Sequence, residues 1–234
     1  MNRKKEHKIE WSGKIKEKEF SDTLFDELVV RKANINKVVF INVHFKNSYL
    51  GFDSEYSDCF FTDCKFYGKY SSLGRPAKYT DCRFENCEFI GIDLFTGQHF
   101  YNCFFSGLMK NSILNDKHPK IGNNETVFEV CDLTDLTFGN VNIYGKEIFR
   151  NCILPKQGIR LFDNQNDKLI ERAEEICRNI DSDDKIDSAI VFKKDLKKGQ
   201  NPLILDNLFL DSFFKTENSR KIFDEIIKGY ELNE

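Results

Sequence analysis

From Ile15 to Leu50 every fifth residue is large and apolar: Ile15, Phe20, Phe25, Val30, Ile35, Phe40, Phe45 and Leu50. A repeat of five suits neither regular element. On an α-helix five steps of about 100° displace each member by about 140°, which scatters the Phe residues around the cylinder. On a flat strand the fifth residue changes face, so the Phe residues would alternate between core and water. A backbone that bends by a quarter turn every five residues keeps all of them inside, and four short sides then close one coil. No single coil buries its own apolar face, so several must stack. The frame continues through Tyr56, Phe61 and Phe66. It resumes at Tyr79, Phe84, Phe89, Leu94, Phe100 and Phe105, passes a poor Lys110, and ends with Phe128, Leu133, Phe138, Ile143, Phe149 and Leu154. These two dozen inward positions amount to about six coils. They also account for the composition, 23 Phe beside a single Trp.

A second inward position lies two residues before each centre, and small or slim residues occupy it: Ala33, Val38, Val43, Ser48, Cys59, Cys64, Cys82, Cys87, Cys103, Cys131 and Cys152 among them. Runs such as Cys82-Arg83-Phe84-Glu85-Asn86 and Cys131-Asp132-Leu133-Thr134-Asp135 resemble the pentapeptide-repeat family, whose motif is a small residue, a polar one, Leu or Phe, then two polar ones. The resemblance covers about 15–154. It implies an all-β solenoid, a right-handed quadrilateral β-helix. Lys18, Gln98, Lys110 and Glu147 put polar groups at inward positions, where local distortion or escape at a corner is expected.

Three regions follow. Residues 1–12 read as a basic tail or cap, with Arg3, Lys4, Lys5 and Lys8 in an unpatterned, frayed terminus and Trp11 closing the open end of the stack. Residues 13–154 form the β-helix. Two insertions interrupt it, near 69–76 and 112–125, where Gly, Pro and Asn concentrate. Residues 155–234 read as a C-terminal α-helical region. It begins with a linker over 156–165. Next comes a stripe of Leu169, Ile170, Ala173, Ile176, Cys177 and Ile180 capped by Asp167, and then a stripe from Ile186 to Leu196. Helices over Leu203–Phe214 and Ser219–Lys228 complete it. Phe209, Leu210, Phe213 and Phe214 are the candidate face with which this region caps the last coil or meets a second copy.

Candidate chemistry is sparse. Seven of the eight Cys sit at the small inward position, so the four-residue gaps of Cys59/Cys64 and Cys82/Cys87 are set by the repeat and not by a zinc ion, which needs four converging ligands. Counting four pentads per coil stacks Cys59 on Cys87, Cys82 on Cys103 and Cys131 on Cys152, all as reduced thiols in a cytoplasmic protein. His7, His44, His99 and His118 lie apart, and no phosphate loop or nucleophile elbow is present. A solid Phe interior leaves no substrate pocket. The expectation is a non-enzymatic chain with no cofactor and no metal, and without a membrane span.

Two functions compete. One is a protein-binding scaffold that presents its loops and helical end, with Lys69, Tyr70, Arg75, Asn115, Lys117, His118 and Lys120 as candidate contacts. The other comes from the resemblance alone: some pentapeptide-repeat proteins bind DNA gyrase as DNA mimics. Charge speaks against it, because residues 1–154 carry 21 Lys+Arg against 21 Asp+Glu. Direct nucleic-acid binding is disfavoured for want of a basic stripe. The proposed partner is a protein, with a homodimer through the C-terminal region as an additional option.

Overall fold

A computed structural model of the chain describes residues 3–92, 97–115, 126–180 and 191–232. Short strands stack in parallel into a four-sided solenoid of about six coils. Register assigns each centre to a face. Phe20, Phe40, Phe61, Phe84, Phe105 and Leu133 align on face 1. Phe25, Phe45, Phe66, Phe89, Met109 and Phe138 align on face 2. Face 3 carries Val30, Leu50, Leu73, Leu114 and Ile143, and face 4 carries Ile35, Tyr56, Tyr79, Phe100, Phe128 and Phe149. The rings stack along faces 1, 2 and 4, as Phe61 does between Phe40 and Phe84 at centroid distances of 4.7 and 4.6 Å.

The corners explain why most pentads end in Asp or Asn. The last residue of the pentad adopts a left-handed conformation, φ 47° at Asp22, 52° at Asn42, 54° at Asp63 and 51° at Asn86. Most side chains resist that region, whereas Asn and Asp enter it readily. At the small inward positions, Ser48, Ser54 and Ser112 accept hydrogen bonds from the amides of Leu28, Ala33 and Ile92 one coil below.

The frame departs from expectation at four places. Face 3 does not skip a turn after Phe66. Leu73 is fully buried there and Ser72 bridges Tyr49, so only a few residues of 69–76 are extra. The Tyr79 hydroxyl fixes this irregular side by donating to the carbonyls of Leu50 and Leu73 (3.1 and 2.7 Å). Lys110 is not an inward residue, because the preceding repeat is one residue short and Met109 fills the site. Residues 112–115 belong to the coil rather than to a loop: Ser112 and Leu114 are buried, and Ile113–Asn115 pairs with Asn142–Tyr144. Gln98 neither escapes nor distorts its coil. It is fully buried, donates to the Gly74 carbonyl and accepts from Thr126, so one amide braces three coils. Lys18 and Glu147 do reach solvent, as expected.

The short repeat has a consequence for Gly107, which replaces the small inward residue before Met109. The chain cuts the corner at φ +105°, and a Cβ there would sit 2.6 Å from the Cys87 amide nitrogen and closer still to the Cys87 carbonyl oxygen. Gly107→Ala is expected to destabilise the solenoid by about 1–3 kcal/mol. A fall in thermal midpoint larger than that of a Gly91→Ala control checks it; Gly91 has open space around it and a left-handed corner φ of 62°, so its substitution carries the backbone strain of about 1 kcal/mol without the clash.

Both ends are closed differently than the pattern suggests. Residues 4–10 are not frayed. Lys4–Lys16 is a continuous strand paired in parallel with Thr23–Asn36. Trp11 plugs the interior against Phe20 and Phe25 at 5.0 and 5.4 Å, and Lys4 pairs with Glu6 (2.6 Å) at the adjoining edge. Charged side chains along an outer edge strand discourage pairing with another chain.

At the other end the linker contains a strand. Ile159–Phe162 pairs antiparallel with Leu203–Asp206, which the sequence reads as helix. All four residues of Leu203–Asp206 are buried, and Asp206 then caps the Asn207–Phe213 helix by accepting from the Phe209 amide at 2.6 Å. Pairing of the buried Leu203–Asp206 run overrides the helical preference of Leu, while Ile itself favours a strand. The Lys168–Arg178 and Glu217–Ile227 helices form as expected. Asp167 does not cap the first; Asn164 does, accepting from the Leu169 amide at 3.1 Å. Of the Ile186–Leu196 stripe, residues 186–190 lie outside the described residues, and a single turn, Lys194–Lys197, is described.

The helical end docks on the last coil. Asp206 accepts from the Asn140 amide (3.0 Å), and Ile204 joins the solenoid core. Lys197 spans the junction. It is buried, donates to the Ile143 carbonyl and lies 5.0 Å from the Tyr144 ring centre.

Candidate interaction surfaces

Among the described residues the interior is filled by stacked side chains, so recognition falls to the surface. The first candidate loop is real but small. Lys69 and Tyr70 are exposed at the corner leaving face 2, with Lys69 5.3 Å from the ring centre of Tyr70, which is 67% exposed. Arg75 is half-buried instead, and its amide donates to the Gly51 carbonyl at 2.5 Å. Asn115 ends a core strand and is not a loop residue. Lys117, His118 and Lys120 lie outside the described residues.

The C-terminal face also resolves into two roles. Leu210 and Phe214 are buried within the helical end, where Phe214 meets Phe223 at 4.8 Å. Phe209 and Phe213 are half-buried and pack on that cluster, and only Leu208 beside them is largely exposed, at 54%. The four aromatic and leucine side chains therefore form part of the cap's own core and are not one open face.

Cys82 stacks with Cys103 and Cys131 with Cys152, as the repeat count expects, but the partner of Cys59 differs. Because Leu73 restores the missing side, Cys59 lies under Cys82 and not under Cys87. Cys59, Cys82, Cys103, Cys131 and Cys152 form one column on face 1, and Cys64 and Cys87 another on face 2. Each thiol donates to nearby carbonyl oxygens, as Cys131 does to Phe100 and Glu129, both at 3.4 Å. The neighbouring thiol and burial push Cys59, Cys103 and Cys152 above the ordinary thiol range, and burial does the same for Cys87. The fully buried thiols among them are inert. A thiol reagent is expected to modify Cys152, half-exposed at the column's end, ahead of the six buried solenoid cysteines, which react only on unfolding; peptide mass mapping checks the order.

Outward groups are not distributed evenly. Face 1 carries Glu19, Asp22, Asp63, Glu85, Asp132 and Asp135 against Lys18 and Arg83, and its leading corner adds Asp58 and Asp81 against Lys37. Face 2 carries Lys5, Lys8, Lys46, Lys65 and Lys110 against Glu6, Asp26, Glu27 and Glu88. There Asp26 alone meets Lys5, His7 and Lys46, each at 3.7 Å. His44 on the same face is held below its usual range by burial and by Arg3 and Lys65. The fold puts Asp81 and Glu85 with face 1 and Glu88 on face 2, beside Lys65 at 2.7 Å.

No protein-family model and no curated protein matches this chain. Among solved structures it is similar to HetL, a pentapeptide repeat protein involved in heterocyst differentiation regulation from the cyanobacterium Nostoc sp. strain PCC 7120. That likeness is 9% identical, covers 65% of this chain and 86% of that one, and has a TM-score of 0.24. It is also similar to trypsin-treated QnrB1, a plasmid-mediated fluoroquinolone resistance protein, at 16% identity over 62% and 70% of the two chains with a TM-score of 0.20. At these TM-scores neither likeness carries the fold assignment, which rests on the coils themselves. No described helix is long and apolar enough to cross a membrane.

Proposed function

We propose that this chain, a parallel β-solenoid resembling the pentapeptide-repeat proteins, is a non-enzymatic protein-binding scaffold. The solid interior supports this reading most directly. Stacked rings on three faces and aliphatic side chains on face 3 fill the interior, so a partner must be engaged from outside, by the faces, the Lys69–Tyr70 corner or the helical end. A second copy meeting the helical end near Leu208 belongs to the same proposal. Sedimentation equilibrium over a wide concentration range tests it, and a monomer throughout removes it. The scaffold reading itself is tested by co-purification from the native cell. Absence of any stoichiometric partner removes the reading. Deleting Lys69–Pro76 would also delete Leu73 from the interior, so the loop is tested with Lys69→Ser and Tyr70→Ser instead, and full recovery of the partner by both variants rules out that corner.

One observation favours the topoisomerase reading as a second choice. The overall charge of the rod is neutral, but its acids gather on face 1. A supercoiling assay with gyrase, with and without a quinolone, decides it, and no effect at micromolar protein removes it.

A further inference from the structure

Face 1 is acidic at its margins and apolar along its middle. Val39, Ile41, Phe60 and Phe104 project outward from successive coils, with Phe60 41% and Ile41 39% exposed. Arg83 interrupts them without adding free charge. It pairs with Glu85 at 2.8 Å and lies 4.5 Å from the ring centre of Phe104. The two margins are lines of corner residues rich in carboxylates, Asp58 and Asp81 on one side with Lys37 one coil away, and Asp22 and Asp63 on the other, where Arg3 donates to Asn42 between them (2.7 Å). Each carboxylate is positioned by an asparagine and not by a cation: Asn42 donates to Asp22 (2.6 Å), Asn86 to Asp63 (2.5 Å), Asn102 to Asp81 (2.6 Å) and Asn36 to Asp58 (3.4 Å). A neutral amide orients a carboxylate without cancelling its charge, and it leaves one oxygen free to accept from a partner.

We propose that face 1 docks a cationic amphipathic polypeptide segment, its apolar stripe along Val39, Phe60 and Phe104 and its lysines or arginines on the two acidic margins. This rests on the scaffold reading and names the partner's chemistry. The spacing fits a helix laid along the solenoid axis, since one helical turn rises about 5.4 Å and one coil about 4.8 Å. Charge governs approach, and the apolar centre supplies the contact area that separates such a segment from a merely basic one.

The test is binding of three labelled synthetic peptides to the intact chain, followed by anisotropy at low and physiological salt. One is a helix of about 18 residues with a Leu stripe flanked by Lys, one is its scrambled isomer, and one is polylysine of the same length. The amphipathic peptide is expected to bind at least ~10-fold more tightly than the other two. Phe60→Ser with Ile41→Ser should abolish that margin, and Asp58→Asn with Asp81→Asn should weaken all three peptides alike. Phe60 and Ile41 are outward, and circular dichroism confirms that the variants fold. Equal binding of polylysine, or indifference to Phe60→Ser, overturns the proposal. So does a concentration-dependent dimer of the chain alone that Phe60→Ser dissolves, because a second copy would then be the occupant. A native partner retained by the face 1 variants but lost by Lys69→Ser and Tyr70→Ser removes this inference and leaves the scaffold standing.

Discussion

Phe61→Ala is expected to lower unfolding stability by about 3–5 kcal/mol, measured by chemical denaturation. The ring is fully buried and stacks between Phe40 and Phe84 at interplanar angles of 11° and 6°. It also meets Phe66 at 5.9 Å on the adjacent face. Its loss opens a cavity at the middle of a column whose neighbours are pinned by backbone pairing above and below, so the site cannot collapse. Phe60→Ala is the matched control. One residue away in the same strand, Phe60 faces outward, and its truncation should stay within about 0.5 kcal/mol. Equal losses at the two positions would mean that face 1 does not alternate as described.

The second large effect concerns pH. Lys197 is fully buried where the helical end meets the last coil, and among the described residues no carboxylate is paired with it. Asp206 and Tyr144 are the titratable groups beside that junction, and burial raises both of their pKa values. Burial lowers the Lys197 amine to about 7, against roughly 10.4 in an unfolded chain. Between those values the unfolded state binds a proton that the folded state does not. Stability therefore rises with pH from about 7 to about 10, by up to about 1.4 kcal/mol per pH unit. The total is on the order of a few kcal/mol. Lys197→Met keeps the buried chain and removes the titration. It gives up the hydrogen bond to Ile143, about 1 kcal/mol, yet should be the more stable protein at pH 7 and show a flatter profile above it. Thermal midpoints of both proteins across that range measure this. A wild-type slope that survives in Lys197→Met would place the titration elsewhere.

The fold was legible because the repeat is a geometric statement. A five-residue apolar beat has one economical solution, and residues such as Phe40, Phe61 and Phe84 occupy it in register. The errors came where the count passed through irregular chain. Leu73 sits seven residues after Phe66 and not five, so the pentad frame overlooked it, and the overlooked side shifted the predicted partner of Cys59 by one face. At Gly107 a residue is missing, which moved the inward site from Lys110 to Met109. In the helical region the apolar content of Leu203–Asp206 was correct, but its secondary structure was not. A short buried run satisfies its backbone equally well in a helix or against a partner strand, and only the position of Ile159–Phe162 chooses.

By itself the amino-acid sequence determined the periodicity, hence the coil, its stacked Phe interior and the outward exposure of polar groups. These follow from local bending and burial, which act within a few residues of each position. Tertiary structure alone decided which coils lie over which, that carboxylates from pentads some twenty residues apart line the same margins of face 1, and that Lys197 reaches the carbonyl of Ile143. Those outcomes depend on cumulative register, where each inserted or missing residue propagates to every later contact, and no local pattern records that sum.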